Sequence, residues 1–198
     1  KMKTISISTP EGLLEADYYM GGPHWVLLCH GKVFSKADWG ELPNQLHADD
    51  QRSVLCLNFS GYGDSAGDQD PTRYAKNIDV ALLWINQQQP ETVSMLGASM
   101  GAVAMMDWAF TTESSVMLQN TVLFAPRSAR PVQIPTSNLY GVFNNDEEDA
   151  LAHIARLENC LPTVQIRRLS GHLHAQNNLL CEQAADTVRL LRSLLIDS

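Results

Sequence analysis

Positive charge is scarce in this 198-residue chain: 14 lysines and arginines stand against 22 acids, a net charge of −8. The longest basic run is Arg167-Arg168, too little for the cationic footprint that a phosphate backbone requires, so nucleic acid is not expected as a partner. Cysteine is limited to four scattered residues with no C-x-x-C pair. Cys29 and Cys56 fall inside apolar runs, and reduced thiols in a cytoplasmic protein are the expectation. No apolar run approaches the roughly 18 residues of a membrane span, and neither a membrane partner nor a secretory leader is expected. Phosphate-cradling, dinucleotide-binding, calcium-loop and H-E-x-x-H patterns are all missing. The pair His172-x-His174 has no third ligand to complete a metal site. No cofactor and no metal are therefore expected.

What is present is an alternation. Short β-rich runs at residues 4–8, 14–20, 25–29, 53–59, 92–96, 121–124, 138–143 and 163–169 are interleaved, from the middle onward, with segments of helical period at 36–46, 73–88, 99–110, 147–158 and 182–196. In the second of these segments Ile78, Ala81, Leu82 and Ile85 share one face. Several strand runs are apolar throughout, as strands covered on both faces must be. No linker or internal repeat divides the chain, so residues 1–198 read as one α/β domain with a mostly parallel sheet. The connection 125–137 is too short for a lid, which predicts an open site.

The pattern G-x-S-x-G occurs twice, around Ser65 and around Ser99. A nucleophile elbow needs a strand entering a sharp turn, a helix leaving it, and small residues beside the serine. Gly97-Ala98-Ser99-Met100-Gly101 lies between a buried strand pattern and an apolar helix pattern, whereas Ser65 runs into Asp68-Gln69-Asp70-Pro71, which is loop composition. Ser99 is the candidate nucleophile and Ser65 a decoy.

Three ordered motifs carry a family resemblance: His30-Gly31 after the third strand, Asn58-Phe59-Ser60-Gly61-Tyr62-Gly63-Asp64-Ser65 after the fourth, and the Ser99 elbow. In this order the chain resembles the α/β-hydrolase superfamily, and among its subgroups the small capless serine esterases and dienelactone-hydrolase-like proteins. Asn58 replaces the usual aspartate of the second motif. The resemblance implies an eight-stranded sheet with helices on both faces and no cap. It implies a structural His30, and an oxyanion hole made of the backbone amides of Lys32 and Met100. It places the base just after the last strand, where Gly171-His172 fits and His174 is the rival. The acid belongs after an earlier strand, at Asp146 in Asn144-Asn145-Asp146-Glu147, with Asn144 standing for a left-handed glycine and Glu147, Glu148 and Asp149 on the surface.

The sequence therefore points to a serine hydrolase in which Ser99, His172 and Asp146 cleave a small carboxylic ester or thioester through an acyl-serine. The same scaffold also hosts non-catalytic ligand- and protein-binding modules, and that reading stands beside the first. Lys32, Lys36, Arg127 and Arg130 are expected near the serine. Either they pair with the acids at 146–149, or Arg127 holds an anionic group of the substrate.

Overall fold

The computed structural model describes residues 1–197. Its strands are β1 (Met2–Thr9), β2 (Gly12–Tyr19), β3 (His24–Cys29), β4 (Ser53–Leu57), β5 (Thr92–Ala98), β6 (Leu118–Phe124), β7 (Thr136–Asn144) and β8 (Gln165–Leu169). The helices are α1 (Leu42–Ala48), α2 (Tyr74–Asn86), α3 (Met100–Thr111), α4 (Ala150–Cys160) and α5 (Ala184–Ile196), with 3₁₀ turns at Pro71–Arg73 and Ala175–Leu179. All eight strands form one sheet in the order β1-β2-β4-β3-β5-β6-β7-β8. β1 and β2 are antiparallel additions, and every pairing from β4 to β8 is parallel.

Right-handed crossovers turn this order into layers. The step β3→α1→β4 runs one way along the sheet, whereas β4→α2→β5, β5→α3→β6 and β7→α4→β8 run the other. α1 therefore lies on one face and α2, α3 and α4 on the opposite one, and α5 packs against α1. The central strands are apolar because both their faces are covered: β4 is buried at every position and β3 at all but His24. The outer strand β8, Gln-Ile-Arg-Arg-Leu, is mostly exposed.

The reversal of direction at β3 opens a crevice beyond the carboxyl ends of β3 and β5, where Cys29 pairs with Gly97. The chain leaving β3 and the chain leaving β5 depart to opposite faces there. This crevice is where the fold presents side chains for chemistry.

Besides shifts of a few residues at other ends, two helix starts and one short turn depart from the periodic pattern. α1 begins at Leu42 rather than 36, because residues 32–40 first make a turn over the sheet edge, including Ser35 N–H donating to Asp38 Oδ2 at 2.7 Å. α4 begins at Ala150 rather than 147, because Asp149 takes a left-handed conformation (φ 57°) just before it. The 3₁₀ turn Ala175–Leu179 has too few residues to leave a period in the sequence.

Candidate active site

Ser99 sits at the turn between β5 and α3 with φ 51° and ψ −108°, a conformation that costs a non-glycine residue about 1–3 kcal/mol. Its neighbours explain how the turn closes. A Cβ on Gly97 would strike Met105 Sδ and stand 2.7 Å from Ala102 N; one on Gly101 would strike the Cys29 carbonyl and stand 2.8 Å from His30 O. Only glycine lets α3 start so close to the ends of β3 and β5. Ser99 N–H donates to Phe124 O at 2.7 Å, which ties the elbow to β6.

The rest of the constellation departs from the sequence reading. His174, not His172, faces the serine: its Nε2 lies 2.8 Å from Ser99 Oγ. On its other side Nδ1 meets Oε1 of Glu147, not a carboxylate of Asp146. A carboxylate only accepts, so Nδ1 carries the proton and Nε2 is left free to accept the serine hydroxyl.

The placement of His174 rather than His172 beside Ser99 follows from the turn after β8. Residues 170–172 bend, with Gly171 at φ 91°, and the Gly171 carbonyl is taken by Asp146 N–H at 2.9 Å. His172 is consequently held beside the acid loop, exposed, in the wall of a separate cavity of about 360 Å³ with Cys181, Glu182 and Asp186. Two more residues are needed to reach Ser99.

The carboxylate that meets the histidine is one residue further along than expected, for a parallel reason. After β7 the chain turns at 145–146, which leaves Asp146 on the outside and exposed, and Glu147 comes back beneath it with a side chain only 3% exposed. The expectation of a surface Glu147 is corrected. Glu147 Oε2 is buried without a hydrogen-bond partner among the described residues, so the charge rests on His174 and on Arg127, whose Nη2 is 3.7 Å from Oε1. Asn144 is likewise not a left-handed stand-in for glycine. It is buried and exchanges two amide hydrogen bonds with Asn178, at 2.9 and 2.8 Å, joining the acid loop to the segment after the base.

The decoy serine has a structural place. Ser65 Oγ donates to Asn58 O at 2.7 Å and accepts from Glu15 N at 2.9 Å. Asn58 itself accepts from Lys36 N–H and donates to Glu15 Oε1, so the position of the usual aspartate is filled by a hydrogen-bonded amide beside a carboxylate.

Around Ser99 lies an open cavity of about 340 Å³, whose apolar wall includes Phe34, Met100, Val103 and Ala175. No helix or strand forms in residues 125–135, in keeping with the absence of a lid. Lys32 and Met100 line this cavity, and the backbone amide of neither is consumed by the turn and cap hydrogen bonds among the described residues. Met100 opens α3, where the first amides have no intrahelical acceptor.

The four expected cations divide. Lys36 pairs with the buried Asp17 at 2.8 Å, and Arg130 pairs with Asp107 while lying 4.1 Å over the Phe110 ring. Only Lys32 and Arg127 line the cavity. His30 is buried; its Nδ1–H donates to Gly31 O at 2.8 Å and its Nε2 accepts from Phe59 N–H at 3.2 Å. Burial pulls its pKa down to about 4, which keeps it neutral and structural.

Residues 26–192 match the sequence model of the Alpha/beta hydrolase family. Among solved structures, a CIB-like hydrolase from Thermoplasma acidophilum aligns with a TM-score of 0.78 at 16% identity, covering 100% of this chain and 99% of its own. A serine hydrolase without lid from Xanthomonas campestris gives 0.75 at 19% identity, covering 98% and 92%. A carboxylesterase from Bacillus subtilis gives 0.75 at 14% identity with the same coverage. At these identities the likeness is one of fold. A search of curated protein sequences finds no match.

Proposed function

Since this chain belongs to the alpha/beta hydrolase family, we propose that it is a serine hydrolase cleaving a small carboxylic ester or thioester through an acyl-Ser99 intermediate. The observation that carries this reading is the continuous line from Ser99 through His174 to Glu147. Ser99 Oγ attacks the carbonyl carbon as its proton passes to His174 Nε2, and Glu147 balances the imidazolium. The oxygen of the tetrahedral adduct becomes negative and takes hydrogen bonds from the Lys32 and Met100 amides. Collapse expels the alcohol or thiol with the proton from His174. Water then repeats the sequence on the acyl-serine and releases the acid. A fluorophosphonate should label the protein stoichiometrically, with the tag on Ser99 in the peptide map. A tag on Ser65 would end the assignment of Ser99 as nucleophile, and no tag on a folded protein would return the chain to the non-catalytic binding reading.

The cavity is small and, among the described residues, its formally charged wall residues are Lys32 and Arg127, both cationic on a protein of net charge −8. This supports short acyl or alcohol groups and favours substrates that carry a carboxylate or phosphate. Lys32 is exposed with no ion pair among the described residues, whereas Arg127 shares its charge with Glu147. A mono-aryl adipate should be cleaved with about 3- to 10-fold higher kcat/KM than its methyl ester, and the ratio should shrink in about 0.5 M salt. Lys32→Met and Arg127→Met should each lower that ratio. A wild-type ratio near one rejects the anionic substrate.

A further inference from the structure

Gln176 lies two residues beyond His174 and has no exposed surface. Its side chain crosses to the opposite wall of the site. Oε1 accepts from Gly31 N–H at 2.7 Å, and Nε2 donates to Asp38 O at 2.8 Å. Both halves of a buried amide are thus used to join the segment that carries the base to the loop that follows β3.

We propose that Gln176 is a positioning residue that fixes the oxyanion amide of Lys32 relative to the Ser99–His174 pair; this rests on the hydrolase reading above. Gly31 is held at both ends. Gln176 takes its N–H, while its carbonyl accepts from His30 Nδ1 at 2.8 Å and from Phe34 N at 3.2 Å. The Gly31 carbonyl and the Lys32 N–H belong to one trans peptide, so they point in opposite directions. Holding the carbonyl towards His30 aims the Lys32 N–H the other way, and Tyr62 Oη–H, donating to Lys32 O at 2.7 Å, fixes the next peptide.

Of these contacts, the one made by Gln176 reports directly to the base. Only Ala175, at φ 46°, separates it from His174, so the oxyanion loop cannot drift from the base without giving up a buried hydrogen bond. An oxyanion hole stabilises charge only where its donors are already in place, and a misplacement of about 1 Å costs on the order of 100-fold in rate.

The test uses Gln176→Met and Gln176→Glu in the full chain, with a neutral aryl ester, a trifluoromethyl ketone that forms a tetrahedral adduct with the serine, and end-point fluorophosphonate titration to count competent sites. For Gln176→Met the inference expects kcat to fall about 10- to 100-fold with KM within about twofold. The inhibitor should weaken in proportion to kcat/KM, and the titrated fraction should stay at the wild-type level. In Gln176→Glu the carboxylate still accepts from Gly31 but confronts the Asp38 carbonyl without a donor; protonation restores the donor. Its activity relative to wild type should therefore rise as pH falls. An unchanged kcat, a loss explained by fewer titratable sites, or a loss confined to KM overturns the inference. Wild-type protein that neither labels at Ser99 nor turns over the ester fails the hydrolase reading itself, and the inference with it.

Discussion

His174→Ala should lower kcat by about 10⁴- to 10⁶-fold, as much as Ser99→Ala, while His172→Ala should stay within about threefold of wild type. The asymmetry follows from position. His174 Nε2 is 2.8 Å from Ser99 Oγ, and His172 is exposed in the wall of the neighbouring cavity. Serine and histidine act as one unit, so the double variant should be scarcely worse than either single one. Removing His174 also strips Glu147 of its closest compensating group and should destabilise the fold. His174→Gln, which restores a hydrogen-bonding side chain, separates that effect from chemistry when thermal unfolding is measured beside turnover. If His172→Ala is the inactive variant, the assignment of the base is wrong.

Glu147→Gln should lower kcat by about 10³- to 10⁴-fold, and Asp146→Asn should change it by no more than about twofold. An amide in place of the carboxylate cannot balance the imidazolium. If its NH₂ group turns towards Nδ1, it also selects the ring tautomer that has no lone pair on Nε2 for the serine proton. Asp146 contributes its backbone N–H to Gly171 O, a bond that Asp146→Asn leaves in place. Steady-state kinetics of the two variants decide between the carboxylates, and comparable losses in both would dismiss Glu147 as the orienting acid.

The fold was largely legible because its signals are local: buried strands written as continuous apolar runs, helices with a 3.6-residue stripe, and glycines where chains approach closely. The elbow was legible for the same reason, since Gly97 and Gly101 are demanded by contacts within a few residues of Ser99 and at the end of the adjacent strand. The side chains that meet Ser99, His174 and behind it Glu147, were not. Each follows a strand through an irregular turn, and which residue points inward depends on how the two turns engage each other through Asp146 N–H and Gly171 O. That engagement joins residues 25 positions apart and leaves no period in the sequence. The available signal was chemical: Glu serves as an orienting acid as well as Asp, so Glu147 was as eligible as its neighbour. Gln176 left no motif, because its partners Gly31 and Asp38 are joined through backbone atoms that any residue carries.

The reciprocal amide pair of Asn144 and Asn178 gives the acid and base segments a joint without charge. Neither side chain titrates, so the joint is indifferent to acidity and to salt, unlike an ion pair in the same place, whose field would bear on Glu147 and His174. The pair is also all-or-none. Each amide is anchored a second time, Asn144 to the Ser170 carbonyl and Asn178 to the Ala175 carbonyl, at 3.1 and 2.9 Å. Parting the segments would strand several buried donors and acceptors together, at about 1–3 kcal/mol each. The two segments are thereby made to dock or detach as one piece, since a partial separation would leave these buried amides unpaired.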